Sequence, residues 1–368
     1  MSGADTVASL GERALIRRVH DRLPSAPPWM RVGIGDDAAV VDVPARRAEV
    51  LTTDAFAEGV HFNRALVPAR DIGHRAAAGA LSDLAAMGAE PRLLLLSLVL
   101  PDDLAVADFD ALIDGVAETA AAHRAVVAGG NITRSPGPLL IDVTAVGHVH
   151  PRKVLRRGGA RAGDALYVSG RPGGAAAGLA WLLRTQDAAS VASAARRPVG
   201  ADAVASTPGP ASDGLGNEAN DIAGAVERYR RPQPRVRLGL LVGRTRAANA
   251  CIDLSDGLAD AVAQVAQASG LGAVLDLEAV PWHPAVAPVL GQDEAGLAAA
   301  LASDDYELLF AVPARRRRLF ERVTGFAGLP PVTRIGELRK GGDVVARQGG
   351  TERPLTEGYE HFAGAAQR

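Results

Sequence analysis

The sequence predicts an α+β protein built as two domains, and three observations lead there. At 368 residues the chain exceeds what one hydrophobic core ordinarily serves. Up to residue 150 its apolar periodicities run strand, strand, helix, strand, helix, strand, strand, a layered α+β order and not a strict βαβ series. After His150 the composition turns to a Gly- and Arg-rich connection, which places the boundary near 150, with domains at 1–150 and 151–368.

Residues 8–23 fit a short amphipathic helix that ends before Pro24. Gly33-Ile34-Gly35-Asp36-Asp37-Ala38-Ala39-Val40-Val41 reads as a glycine turn entering a strand, and the next apolar run stops at Leu51-Thr52-Thr53-Asp54. Residues 71–87 form a helix with Asp71 as N-cap and Gly88 as terminator. The run 93–100, between Pro91 and Pro101, is a buried strand; 108–123 is a helix; 125–128 is a short strand ending at Gly129-Gly130-Asn131; and 139–149 is another strand. In the second half come a strand at 165–169, a small-residue helix at 170–183 opened by Pro172, and a helix near 236–241. The turn Cys251-Ile252-Asp253-Leu254-Ser255-Asp256-Gly257 leads into a helix ending at Ser269. Strands at 273–277, 305–312 and 332–338 follow, with a basic helix from Arg315 between the last two. Residues 186–226, rich in Ala, Ser, Gly and Pro, lack periodicity and are expected to form a mobile surface insertion.

Composition excludes several classes of function. The formal charge is −2 with both signs interspersed, so no basic field awaits nucleic acid and no polybasic patch a membrane. Cys251 is the only cysteine, which rules out an intrachain disulfide. The N-terminus lacks a signal-peptide layout and no apolar run reaches membrane-spanning length, so a cytoplasmic protein is expected.

The acids are the informative residues. If the strands ending at Asp54 and beginning at Asp36 pair, Asp36, Asp37 and Asp54 approach one another. Two unit charges about 5 Å apart repel by roughly 3 kcal/mol at an effective dielectric near 20. A gathering of three carboxylates therefore calls for a divalent cation, although each taken singly also reads as a turn aspartate facing water. On the 71–87 helix, Ile72, Ala76, Asp83 and Met87 share a stripe, which puts Asp83 on an apolar face and in the last turn, where the helix dipole disfavours an anion. That placement makes Asp83 a fourth candidate. Asp253 and Asp256 lie three apart at a strand-to-helix turn; Asp256 also reads as an N-cap, whereas Asp253 precedes the turn and gains nothing from capping.

Other motifs are weaker. Gly33-x-Gly35-x-x-Ala38 resembles a dinucleotide fingerprint, but no helix follows and two aspartates would repel pyrophosphate. No Walker sequence and no His-Glu-x-x-His occur. Gly129-Gly130-Asn131 suits either close anion approach or a plain turn, and Arg156 and Arg157 either clamp phosphate or are solvated. His61 alone is equally a packed histidine.

Taken together and in order, Gly33-Ile34-Gly35-Asp36-Asp37, Thr52-Thr53-Asp54, Glu58-Gly59-Val60-His61-Phe62, Leu81-Ser82-Asp83-Leu84-Ala85-Ala86-Met87-Gly88-Ala89, Ile252-Asp253-Leu254-Ser255-Asp256-Gly257 and Asp304-Asp305-Tyr306-Glu307-Leu308 carry a resemblance to the thiamine-monophosphate kinase family. That family sits in the ATP-binding superfamily that includes aminoimidazole ribonucleotide synthetase and selenophosphate synthetase. The resemblance covers about 33–362 apart from the insertion. It implies two α/β domains of the aminoimidazole ribonucleotide synthetase type, with the N-terminal sheet pairing across a homodimer, and ATP as co-substrate with Mg2+. It further implies Asp37, Thr52, Thr53, Asp54, Asp83, Asp253 and Asp256 as metal ligands, with Asp54, Asp83 and Asp256 central to catalysis. Gly130, Asn131, Arg157 and Ser255 would meet the nucleotide, and His61, Asp304 and Tyr359 the thiamine monophosphate.

Two positions depart from the family pattern: Asn131 stands where an aspartate is usual, and Ala302-Ser303-Asp304-Asp305-Tyr306 replaces Gly-Gly-Glu-Asp-Tyr. Two alternatives stay open at this point. One is another enzyme of the superfamily, although no cysteine lies near the start as in selenophosphate synthetase, and the chain ends Ala365-Ala366-Gln367-Arg368 and not in a cysteine as in the hydrogenase maturation relative. The other is a nucleotide-binding protein without catalysis.

Overall fold

The computed structural model of the chain describes residues 5–34, 36–195 and 215–355. In chain order its helices are α1 (Val7–Leu10), α2 (Glu12–Arg22), α3 (Ala69–Ala86), α4 (Val106–Ala122), α5 (Gly174–Ala195), α6 (Leu215–Arg230), α7 (Val236–Thr245), α8 (Leu258–Ser269), α9 (Glu294–Leu301) and α10 (Arg317–Thr324). Its strands are β1 (Met30–Val32), β2 (Val40–Val41), β3 (Ala48–Ala57), β4 (Glu90–Pro101), β5 (Val126–Ser135), β6 (Leu140–Val149), β7 (Ala165–Ser169), β8 (Ala250–Asp253), β9 (Gly272–Asp276), β10 (Leu308–Val312), β11 (Val332–Arg339), β12 (Val344–Gln348) and β13 (Thr351–Pro354). Among the described residues no helix is long and apolar enough to cross a membrane.

The first half forms a four-stranded sheet in the order β3-β6-β4-β5, with β1 and β2 as a separate two-stranded arm. β6 runs antiparallel to β3 and β4, and β5 is parallel to β4. One face is apolar at every second residue: Ile141, Val143 and Ala145 of β6 and Leu94, Leu96 and Leu98 of β4 are buried with Ile72, Leu81 and Leu84 of α3. α4 lies against α3, and the two backbones approach closely. A Cβ on Gly73 would stand 2.0 Å from the Leu112 carbonyl oxygen, and one on Gly115 would stand 1.9 Å from that of Arg70. The second half forms a seven-stranded sheet in the order β13-β12-β9-β11-β7-β10-β8, antiparallel except where β12 meets β9.

α3 lies between the two halves and is buried almost all round. Its other side meets α7, where a Cβ on Gly239 would stand 2.0 Å from the Ala85 carbonyl oxygen. This central position explains why the helix is made of alanine and glycine: no flank faces water and every neighbour is close. Asp71 does not cap it. Pro68 occupies the N-cap without a side-chain hydrogen bond, and the Asp71 carboxylate instead pairs with Arg231 at 2.7 Å, tying the helix start to the second half.

The structure corrects several further sequence expectations. The 8–23 helix is two helices, broken at Gly11, whose φ of 74° no continuing helix accepts. β2 is confined to Val40–Val41 because its only partner is the short β1. The 125–128 strand does not stop at Gly129: β5 continues to Ser135, with a register shift opposite Leu94/Leu95 absorbing the irregularity. The 305–312 strand begins only at Leu308, because Tyr306 takes a φ of 51°. The 186–226 stretch is helical at both ends. α5 runs on to Ala195, and α6 starts at Leu215 and packs so closely that a Cβ on Gly178 would lie 2.2 Å from the Ala225 carbonyl oxygen. Small residues meeting small residues leave little apolar periodicity to read; residues 196–214 lie outside the described residues.

Glu307 fastens the second half together. Its fully buried carboxylate accepts from Ser169 Oγ at 2.5 Å, Arg228 Nη1 at 2.8 Å and Arg235 Nε at 2.7 Å. Burial alone would push this carboxyl up, but Arg235 and Arg228 hold it below the ordinary glutamate range. Removing one member of a buried pair leaves the other charge uncompensated, so Glu307→Ala is expected to destabilise the protein by about 3–5 kcal/mol in urea unfolding. A folded-state pKa below the unfolded value means the stabilisation is present at neutral pH and lost as pH falls from about 4.3 through the lower folded value. A wild-type-minus-variant difference that stayed constant from pH 7 to pH 3 would contradict this assignment.

Candidate active site

α3 and β3 meet at their polar ends. Thr52 Oγ1 donates to Asp83 Oδ2, and one residue earlier on the helix Ser82 Oγ donates to Asp253 Oδ2 at 2.7 Å. Asp253 closes β8, so these two hydrogen bonds bring the first sheet, the central helix and the second sheet to one place. Burial first, then Asp83, Asp142 and Asp256, push the Asp54 carboxyl up to about 7. Burial and Asp83 also push Asp253 up, and Ser82 and the more distant Arg157 offset this only in part. Asp54, Asp83, Asp253 and Asp256 therefore converge, as expected.

The other expected ligands are placed differently. A strand alternates its side chains, so Thr52-Thr53-Asp54 cannot all face one point. Thr52 and Asp54 face α3, while Thr53 turns to the open face of the sheet, where its Oγ1 donates to Asp142 Oδ1 at 3.0 Å beside Thr144 Oγ1 at 3.1 Å. Register continues this open face across the sheet, with Asp142 opposite Ser97 and Ser97 opposite Asn131. A cavity of about 890 Å³ lies over that face, lined by Asn131, Asp142 and Thr144 and, from the β1–β2 arm, by Asp36 and Asp37. Asp37 is thus exposed on the arm and does not join Asp54, because the arm pairs with itself and not with β3. Arg92 secures the arm: its guanidinium stacks over Trp29 at 4.3 Å and its Nη2 donates to the Asp42 carbonyl at 2.7 Å. Gly130 has a structural reason to be glycine, since a Cβ there would stand 1.9 Å from the Leu96 carbonyl oxygen.

A second cavity, of about 450 Å³, lies on the α3 side of β3. It is lined by the acids Asp54, Asp256 and Asp304, by the rings of Phe56, His61, Tyr229 and Tyr306, and by Ser255. Thr53 borders it too, although its hydroxyl bonds Asp142 on the open face of the sheet. His61 Nδ1 accepts from the Ala57 N–H at 3.0 Å, which places the ring proton on Nε2. Tyr306 is held in the left-handed region, a conformation costing a bulky residue about 1–3 kcal/mol, and burial pushes its phenol up. Asp256 is not a cap: Gly257 fills that position and α8 has no side-chain cap. Arg157 is exposed, its Nη1 donating to Gln264 Oε1 at 2.6 Å. Tyr359 lies outside the described residues.

Sequence reading missed Asp142 and Arg75. Asp142 was signalled by a carboxylate within the alternation of the 139–149 strand. Arg75 was signalled by a cation inside an alanine-rich helix, where it proves fully buried and bonded to Asp304.

The donor set suits a hard divalent cation. Carboxylate and hydroxyl oxygens converge, and the causes that raise Asp54 are burial and other carboxylates alone. Among the described residues no three His, Cys, Asp or Glu side chains already stand as a closed ligand set, so binding would draw these carboxylates inward.

Comparison with known proteins matches residues 35–149 to the AIR synthase related protein N-terminal domain and 161–348 to the AIR synthase related protein C-terminal domain. The chain is 34% identical over 358 residues to the thiamine-monophosphate kinase of Escherichia coli (strain K12), covering 96% of this chain and 98% of the relative. A crystal structure of thiamine-monophosphate kinase from Stenotrophomonas maltophilia K279a superposes with a TM-score of 0.74 at 35% identity, covering 93% of this chain and 98% of that one. AaThiL complexed with AMPPCP and TMP gives a TM-score of 0.67 at 28% identity, covering 98% of this chain and all of that one.

Gly79 sets the depth of the smaller cavity. A Cβ there would stand 2.8 Å from Phe56 Cζ and 3.6 Å from Tyr306 Oη. Gly79→Ala must therefore move Phe56, and overpacking of this kind costs about 1–3 kcal/mol. The expected outcome is roughly tenfold weaker saturation by the molecule that fills this cavity. An unchanged half-saturation concentration would show that Phe56 does not bound the occupied space.

Proposed function

The chain belongs to the thiamine-monophosphate kinase family of AIR synthase related proteins, and we propose from that premise that it transfers the γ-phosphoryl group of ATP to the phosphate of thiamine monophosphate, giving thiamine diphosphate. The observation that carries this reading is the group of converging carboxylates beside a cavity lined by aromatic rings and large enough for a small heterocycle.

The acceptor is already an anionic oxygen, so the site needs no general base, and its many acids without an activated nucleophile agree with that. The difficulty is to bring two phosphates together. Thr52, Asp54, Asp83, Asp253 and Asp256 would hold Mg2+ on the α3 side of β3, with Thr53 and Asp37 toward the larger cavity. Bound there, Mg2+ would offset phosphate repulsion and keep the reacting groups in line. Gly130, Asn131, Arg157 and Ser255 are assigned to the nucleotide, and His61, Asp304 and Tyr359 to thiamine monophosphate. The larger cavity, lined by Gly130, Asn131 and Asp142, supports the Gly130 and Asn131 assignments, and the aromatic cavity supports His61 and Asp304; Ser255 borders the aromatic cavity and Arg157 neither. Asn131 keeps a carbonyl oxygen on the lining while removing one negative charge.

The division into 1–150 and 151–368 belongs to the same proposal, supported by one sheet in each part. So does a homodimer formed through the first sheet. Its open face carries Leu51, 67% exposed, opposite Val146, an apolar pair that water would otherwise cover.

Purified protein given ATP, Mg2+ and thiamine monophosphate is expected to form thiamine diphosphate, and Asp54→Asn or Asp83→Asn to lower kcat at least about a hundredfold with the circular dichroism spectrum unchanged. Near-normal turnover in either variant would remove the carboxylates from catalysis, and nucleotide binding without turnover in the unaltered protein would favour a binding protein. Sedimentation is expected to give a dimer that Leu51→Asp dissociates; a monomeric unaltered protein would exclude the pairing.

A further inference from the structure

Arg75 sits on the same stripe of α3 as Gly79 and Asp83, at four-residue spacing, and this stripe faces the site along its whole length. Its side chain is 2% exposed. Nη2 donates to Asp304 Oδ2, Nη1 donates to the Tyr229 carbonyl, and the guanidinium plane lies 4.6 Å from the centre of the Tyr229 ring. Nε is buried and has no hydrogen-bond partner among the described residues. A buried cation with one donor unsatisfied is not the arrangement that packing alone would select, since an apolar side chain of similar volume would avoid the desolvation.

The partner it holds is the informative one. The Asp304 side chain is 34% exposed and borders the aromatic cavity beside Tyr306. Among the described residues its side chain is engaged through Oδ2 alone, so Oδ1 remains for a ligand. The cavity also carries Asp54 and Asp256, and a third unshielded carboxylate would oppose an acceptor that brings its own phosphate. Arg75 neutralises Asp304 from the cavity's border, where its own side chain is almost wholly buried. Tyr229, on α6, is held by the same guanidinium, so one side chain fixes both a carboxylate and an aromatic wall.

We propose that Arg75 is a positioning residue of the acceptor cavity, which fixes Asp304 and Tyr229 so that the Asp304 Oδ1 and the Tyr229 ring meet the cationic heterocycle of thiamine monophosphate. The proposal rests on the reading of Asp304 as an acceptor contact. Arg75 makes no contact with the nucleotide side, so its effect is confined to one substrate.

Steady-state kinetics of the full-length protein test this with Arg75→Met, Arg75→Lys, Asp304→Asn and the double variant Arg75→Met/Asp304→Asn. Arg75→Met is expected to raise KM for thiamine monophosphate about ten- to a hundredfold, the range that loss of a charge-assisted hydrogen bond implies, with KM for MgATP within about twofold of the unaltered protein. Arg75→Lys keeps the charge and is expected to recover at least half of that loss on a logarithmic scale. The double variant is expected to be no worse than the poorer single variant, because both remove the same contact. Equal changes in both KM values, or full additivity of the two substitutions, would overturn the proposal. If Arg75→Met does not fold, Arg75→Lys decides alone, and a KM for thiamine monophosphate unchanged in Arg75→Lys and in Asp304→Asn overturns it. An unaltered protein that turns over no thiamine monophosphate would instead refute the functional reading itself.

Discussion

Buried carboxylates gathered against their mutual repulsion set the conditions for the rest of this structure. Asp54 and Asp253 are raised by burial and by each other's neighbourhood, and Asp83 stands between them on the central helix. Folding brings them together against their repulsion, which the packing around α3 must overcome. Elsewhere the protein treats buried acids differently: Glu307 is surrounded by Arg228, Arg235 and Ser169 and is held charged. The contrast within one chain separates an acid held charged by arginines from acids that burial and other carboxylates push up.

α3 makes this possible because it is narrow. Glycine at 73 and 79 and alanine along most of its length let α4, β3, α7 and Tyr306 approach closely, and the same helix then extends three functional side chains: Arg75 toward Asp304, Ser82 toward Asp253 and Asp83 toward Thr52. A bulkier helix would hold the sheets apart and separate Asp54 from Asp253. The small residues therefore serve the chemistry as much as the packing.

β3 supplies the second constraint. As the edge strand of its sheet it presents Thr52 and Asp54 to α3 and Thr53 to the open face, so one short segment contributes to both faces. Strand alternation is what lets adjacent residues of one strand face opposite sides of the sheet.

Much of the site was legible because charge in an apolar context is a local signal. Asp83 among Ile72, Ala76 and Met87, and Asp253 ahead of a turn it does not cap, could be singled out from spacing alone, and strands 139–149 and 165–169 from alternation and bounded apolar runs. Where residues act through neighbours remote in the chain, the signal disappears. Arg75 looks like any helix arginine until the chain 229 residues later returns Asp304 to it, and Asp142 gains meaning only once β6 is paired with β3. The extension of α5 beyond 183 and the helix α6 stayed unread because small residues there meet small residues.

The sequence by itself determined the family and which residues are candidates for the chemistry, since residue type and short spacing are written in the chain. Which face each residue occupies was decided only by the tertiary structure: that Thr53 parts from Asp54, that Asp37 rides on a separate arm, and that a buried arginine holds Asp304. Facing depends on strand pairing and on contacts between distant segments, and neither exists until the two halves close around α3.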